Sequence, residues 1–289
     1  MSAGTARPAS PSAPDYAALR RIARTMREHI LEMIAAAGSG HPGGSLSAVE
    51  IVAALYFHKL RWKKNDPSWA ERDRFVISKG HGVPVVYAAL AVAGEIPVAE
   101  LSTLRRLGSR LQGHPDHAGF PWMEAATGSL GQGLSIALGM ALASRLDGAP
   151  YRVYALLGDG ECQAGQVWEA AMCAGKYGVH ELTAIVDYNK VQLDGLVKDI
   201  LDLEPLRAKW ESFGWNVLEI DGNDVEQVVP ALDRATETRG KPTVIVAHTT
   251  KGKGVSFMEG THKWHGVAPN AEELARALAE VRAGAVQGG

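Results

Sequence analysis

The chain has 289 residues, 30 Lys plus Arg against 32 Asp plus Glu, and a formal charge of −2. Such a length buries about three quarters of the unfolded surface, and the near-balanced charge with no basic block excludes a phosphate-backbone footprint, so nucleic acid is not an expected partner. Cys162 and Cys173 are too few for a disulfide framework, and no run approaches the ~18 apolar residues of a membrane span, so the expectation is a soluble, cytoplasmic protein with reduced thiols.

Residues 1–15 are small, polar and proline-rich, and read as a disordered tail. From Tyr16 to Ala37 apolar residues recur at spacings of three and four, which predicts an amphipathic helix stopping at Gly38. The following GSGHPGG is too rich in Gly and Pro to be helical, so His41 lies on a loop, and Ser47 is expected to cap a helix reaching about Leu60. Arg74–Ser78 reads as a buried strand, which puts His81 of SKGHG at its carboxyl end. Pro84–Ala93 and Val98–Leu107 read as helices, and QGHPDH carries His114 on a loop. The segment ATGSLGQGLSIALGMALASRL opens on glycines and continues as a helix apolar nearly all round, hence expected to be buried. Backbone N–H groups at such a start suit an anion or a ring system. A nicotinamide fingerprint is disfavoured, because no convincing strand precedes it.

Strands at Tyr151–Leu157, Glu181–Asp187, Trp215–Ile220 and Thr243–His248 then alternate with helices at Ala164–Tyr177, Leu203–Phe213 and Val225–Thr238. A final helix spans Ala271–Val281, and residues 284–289 read as a flexible tail, leaving 16–283 as one domain. The fold class is α/β, with a mostly parallel sheet and helices on both faces. Ligands of such sheets bind beyond the strands' carboxyl ends, where Gly158-Asp159-Gly160, Asn189 and Lys251-Gly252-Lys253-Gly254 all fall. Asp159 and Asn189 offer two hard oxygen ligands, the arrangement expected for Mg²⁺ or Ca²⁺ bridging a diphosphate.

Five elements call for one explanation: GSGHPGG at His41, SKGHG at His81, QGHPDH at His114, GDG with YNK thirty residues on, and THKWHG at His265. Singly, a histidine in a glycine-rich loop is most often a turn residue or a satisfied buried donor, and the Asp of GDG a turn former. Together at element ends they point to one site. Imidazoles accept and return protons near pH 7, each step contributing ~10²–10⁴-fold.

These elements, from about Tyr16 to Pro269, resemble the amino-terminal half of transketolase. GDG followed by the distant Asn is the motif of thiamine-diphosphate enzymes at large, whereas SGHPG, SKGHG, TGSLGQG and WHG narrow the likeness to transketolases. GDGECQAGQVWEAAM and VDYNKVQLDG resemble the members split into two polypeptides. The resemblance implies a thiamine-diphosphate-binding fold and a metal (Mg, or Ca) on Asp159, Asn189 and the carbonyl of Val191. It implies cofactor contacts from His81, Gly128, Ser129, Leu130, Gly160, Asn189 and His265. His41, His114 and His265 would line the channel of a sugar phosphate and assist proton transfer. The implied reaction moves a two-carbon glycolaldehyde unit from a ketose phosphate to an aldose phosphate.

Two departures stand out. Ala164 occupies the place of a family glutamate that joins contacts between halves and active sites. The family's second half, with its cofactor-activating glutamate and phosphate-gripping residues, has no counterpart here. The expectation is therefore a chain inactive alone, working with a separate C-terminal transketolase subunit, most simply as α₂β₂. The alternatives are a related thiamine-diphosphate enzyme using another ketose or an acyl donor, and a non-catalytic cofactor-binding or regulatory subunit.

Overall fold

A computed structural model describes residues 13–284; both expected tails lie largely outside that range. Five strands form one sheet: β1 (Arg74–Ile77), β2 (Val153–Gly158), β3 (Leu182–Tyr188), β4 (Asn216–Asp221) and β5 (Thr243–His248). Their spatial order is β1-β2-β3-β5-β4, and all four pairings are parallel. Side chains of a strand alternate between faces, and here the alternation feeds two cores. Phe75, Ile77, Tyr154, Leu156, Ile185 and Ile245 enter one. Val76, Val153, Ala155, Leu157, Val186, Val244 and Val246 enter the other. Covering both faces is what near-continuous apolar strands require, each buried Val, Leu or Ile contributing about 1.5–3 kcal/mol.

The first face is covered by α1 (Tyr16–Ala37), α3 (Val49–Ala54), α4 (Pro84–Ala93), α9 (Val225–Glu237) and α10 (Ala271–Ala283). Helix α1 starts where Asp15 accepts a hydrogen bond from the Ala18 amide at 2.8 Å. It stops at Gly38, whose φ of 65° is left-handed, as helix C-termini favour. The second face is covered by α5 (Gln132–Leu146), α6 (Gly165–Lys176) and α8 (Leu206–Ser212). Among the described residues no helix is long and apolar enough to cross a membrane.

Four local expectations are corrected. Ser47 starts no helix: it is the C-cap residue of a short α2 (Pro42–Leu46), α3 follows a cap at Ala48, and the Ser47 hydroxyl is diverted to a buried carboxylate. The Val98–Leu107 helix is only a 3₁₀ turn over Val98–Thr103, because the chain turns sharply at Arg105, which has a φ of 59°. The Leu203–Phe213 helix begins later, at Leu206, because Pro205 before it is in an extended backbone, with ψ 103°; a short α7 (Val197–Leu201) lies upstream. Helix α5 is buried on one side only: Leu134, Ala137, Leu138 and Ala141 face the core, whereas Leu146 is exposed.

Candidate active site

The strands' carboxyl ends gather the site around Asp187, the penultimate residue of β3, which is wholly buried. Its carboxylate accepts from the Lys79 ammonium at 2.5 Å, the Ser47 hydroxyl at 2.6 Å, the Asn189 amide at 3.0 Å and the Thr249 hydroxyl. Burial alone would raise its pKa. The charge and hydrogen bonds of Lys79, with those of Ser47 and Thr249, win instead and hold the carboxyl below its ordinary range. A buried ion pair with its lone pairs satisfied is the form low dielectric tolerates. Lys79 spends a further donor on the Gly44 carbonyl, at 2.7 Å.

This buried node orients the outward-facing ligands. A carboxylate can only accept, so Asp187 takes the Asn189 NH₂ group and leaves its Oδ1 free to turn toward the loop, where it accepts from the Val191 amide at 3.1 Å. Asp159, at the end of β2, accepts from the Gly160 amide at 2.7 Å and from the amide of Lys190. Lys190 reaches it from a left-handed backbone, φ 68°. Burial and then the charge of Asp187 push the Asp159 carboxyl up to about 7, and among the described residues it forms no ion pair. A cation beside Asp159 would favour its ionised form. Asp159, the Asn189 Oδ1 and the Val191 carbonyl form an all-oxygen donor set that suits Mg²⁺ or Ca²⁺. A cationic group already sits on one member of it, the Lys251 ammonium, which donates to the Val191 carbonyl at 2.8 Å. Among the described residues no cluster of three His, Cys, Asp or Glu side chains is disposed to hold a metal.

Four imidazoles stand over this floor. Ring centroids of His81 and His265 lie 5.0 Å apart, those of His41 and His81 5.2 Å, His41 and His265 5.6 Å, and His41 and His114 6.1 Å. Burial first, and neighbouring cations second, lower all four pKa values: His41 to about 4, His265 to about 3, His81 well below its usual value, and the more open His114 downward. All four are therefore neutral at pH 7. The His265 Nδ1 lies 2.8 Å from the Lys251 ammonium. Burial draws the Lys251 pKa down to about 8, so it still carries its charge at neutral pH.

The glycine-rich turns bring backbone to backbone. A Cβ on Gly80 would fall 2.7 Å from the Thr127 carbonyl carbon, so only glycine lets the His81 turn seat against the turn of Gly128, Ser129 and Leu130. Ser129 and Leu130 remain exposed at the site's edge. Glu161, immediately after the GDG turn, is buried and accepts from the Ser78 hydroxyl, the Gly131 amide at 2.9 Å and the Gly158 amide at 3.0 Å. It ties the ends of β1 and β2 to the start of α5. It does not replace a carboxylate at Ala164, which lies half-buried beside Gly131. Cys162 is fully buried, and burial pushes its thiol far above the ordinary range, so it is not a reactive thiol.

Every site residue expected from the sequence lies in this region. Sequence reasoning misses Lys79, Asp187, Glu161 and Arg105, and places Lys251 at a strand end without foreseeing its burial or its role. Lys79 and Lys251 stand inside the motifs SKGHG and KGKG, but a lysine that is only 1% or 2% exposed is not legible as buried before its partners are known.

A parallel sheet whose carboxyl ends carry an acid–amide–carbonyl oxygen set, with neutral imidazoles above it, defines an α/β domain built to hold a diphosphate cofactor. Residues 18–283 match the family described as transketolase, thiamine diphosphate binding domain. The chain belongs to that family and corresponds to the amino-terminal half of a transketolase. It is 46% identical over 263 residues to a 6-deoxy-6-sulfo-D-fructose transketolase subunit of Clostridium sp. (strain MSTE9), covering 91% of this chain and 96% of the relative. It is 42% identical to an apulose-4-phosphate transketolase subunit of Phocaeicola vulgatus, covering 88% of this chain and 90% of the relative. Transketolase from Campylobacter jejuni has the same fold, with a TM-score of 0.88 and 33% identity; the likeness covers 93% of this chain and 43% of that one.

Proposed function

We propose that this chain is the cofactor-binding subunit of a two-polypeptide transketolase, transferring a two-carbon glycolaldehyde unit from a ketose phosphate to an aldose phosphate. The observation that carries the reading is the clustering of His41, His81, His114 and His265, joined through His265 and the Lys251 ammonium to the Val191 carbonyl of the oxygen set. Asp159, Asn189 and the Val191 carbonyl would hold Mg²⁺ on the diphosphate of thiamine diphosphate. His81, Gly128, Ser129, Leu130 and Gly160 would border the cofactor, with Lys251 and His265 at the diphosphate end. When bound, thiamine diphosphate supplies the nucleophile and electron sink for cleaving a carbon–carbon bond beside a ketone.

The remaining work falls to the chain's own side chains. At pH 7 the imidazoles are neutral, each offering one lone pair and one N–H to a hydroxyl. Their lowered pKa values make His41 and His265 weak bases in the free chain, and a negatively charged diphosphate beside them would raise those values toward the range general acid–base catalysis needs. Three of the imidazoles are largely withdrawn from water, which strengthens each hydrogen bond they make to a sugar hydroxyl. Asp187 and Glu161 act behind them by fixing the loops. A separate C-terminal subunit is supported by the subunit designation of two relatives of which this chain covers 96% and 90%. We take the assembly as α₂β₂, and the two free thiols suit a cytoplasmic enzyme.

The test is reconstitution. This chain, a C-terminal transketolase subunit from the same genome, thiamine diphosphate and Mg²⁺ are mixed with a panel of ketose and aldose phosphates. Transfer should need both chains and disappear in Asp159→Ala and His265→Ala. Full turnover by this chain alone, or turnover indifferent to both substitutions, refutes the proposal.

A further inference from the structure

We infer that Arg105 sets the tautomer of His41 and so makes His41 a hydrogen-bond donor, rather than a base, toward whatever occupies the histidine cluster. The inference rests on the proposed site only for its kinetic consequence.

Arg105 is placed by two features of its own loop. Its backbone is left-handed, with a φ of 59°, a strained conformation for a non-glycine residue that persists only where surroundings over-determine it. Its amide donates to the Leu111 carbonyl at 2.9 Å, closing the loop across Arg106–Arg110. The guanidinium then lies flat against Gly113, where any Cβ would fall 2.5 Å from the Arg105 Nε; glycine is the residue that leaves that space. From there it borders a pocket of about 420 Å³ together with Gln112, His114 and Asp116. Among the described residues the guanidinium has no carboxylate partner. It faces an imidazole instead, with Nη2 at 3.5 Å from the His41 Nδ1.

The chemistry of that contact has one sign. Guanidinium is always charged and carries only donors, and neutral imidazole has one N–H and one lone pair. A donor facing Nδ1 favours the lone pair there and repels an Nδ1 proton, so the hydrogen resides on Nε2. The backbone that carries the ring is held as well: the His41 carbonyl accepts from the Ser45 hydroxyl at 2.7 Å. Its Nε2 edge faces the His265 loop, 3.7 Å from where a Cβ of Gly266 would be. The Nε2–H therefore points into the cluster. In its resting form His41 gives a hydrogen bond to an oxygen there, and the first proton acceptor has to be another of the four imidazoles. Arg105 acts through His41 and is a positioning residue.

The experiment is long-range ¹H–¹⁵N spectroscopy of the full chain labelled at histidine nitrogens, with His41 assigned by His41→Gln. The expected spectrum at pH 7 has His41 protonated at Nε2 and bare at Nδ1. In Arg105→Met the two nitrogens should move toward averaged shifts, while Arg105→Lys keeps the wild-type pattern. A proton on Nδ1 in the wild type, or a spectrum unchanged in Arg105→Met, overturns the inference. This readout needs neither cofactor nor activity, so it stands or falls apart from the functional proposal. In the reconstituted enzyme, Arg105→Met should lower kcat about tenfold, with KM within about twofold and partial rescue in Arg105→Lys, because the change affects the reacting complex more than substrate capture. An unchanged kcat overturns the positioning role.

Discussion

The floor of the site and its rim are built on opposite plans. The floor is buried at Lys79, Asp187, Ser47 and Asn189, with Thr249 half-buried at its edge, and its central carboxylate is satisfied by four donors. The rim, made of His114, Ser129 and Leu130, stands open, and beside it lie Leu193, two residues past Val191, and Leu201, whose carbonyl accepts from the Gln163 side chain next to the GDG turn; the three leucines are 45–58% exposed. The floor has only one arrangement that pairs all its polar groups, so it is rigid and intolerant of change. The rim spends apolar side chains on solvent, which suits a surface that another molecule covers. Substitutions in the two regions should therefore separate stability from assembly.

The largest expected effect is in the floor. Asp187→Leu strands the Lys79 ammonium in the interior, and removing one member of a buried pair costs about 3–5 kcal/mol. Denaturant titration of the chain should show that loss, and a change below about 1 kcal/mol would mean that water reaches the node. Next, His265→Ala should leave the unfolding midpoint nearly unchanged yet reduce kcat of the reconstituted enzyme ~10²-fold or more; loss of stability with activity retained would invert the assignment. Glu161→Gln should cost about 1–3 kcal/mol, since an NH₂ group cannot accept from the Gly131 or Gly158 amides. It should also weaken cofactor binding, measured by calorimetry, because the two strand ends and α5 are no longer tied.

A pH titration tests the cluster between floor and rim. His41 and His265 have pKa values lowered by burial to about 4 and about 3, against an unfolded value near 6.5. They are neutral in the folded state, so the unfolded chain binds more protons between these limits. Their contribution to stability is complete above about pH 6.5 and is lost as pH falls toward 4 and then 3. Unfolding midpoints should drop over that window, and less so in the His41→Gln, His265→Gln double variant. The smallest effect on folding belongs to the rim: Leu193→Asp and Leu201→Asp should change stability by no more than about 0.5 kcal/mol. The same substitutions should impair association with the C-terminal subunit in sedimentation. Unimpaired association would show that this face is not the one covered.

Much of the layout follows from the chain taken alone. Periodicity in α1 and the short apolar runs of the strands depend on neighbouring residues only, so a mostly parallel sheet and a site at the carboxyl ends of its strands were legible. So were the GDG-to-Asn pair and the histidines, because motifs keep residue type and spacing together. Local failures occurred where distant groups competed for the backbone or side chain: Ser47 serves Asp187 across 140 residues instead of capping a helix.

Tertiary structure alone decided the protonation states and the supporting cast. Whether His41 is an ordinary histidine or one near pKa 4, and whether Lys79 is a solvated cation or half of a buried pair, depends on burial and on charges from remote segments. Desolvation and Coulomb energy are set by distances through space, and no spacing along the chain encodes them.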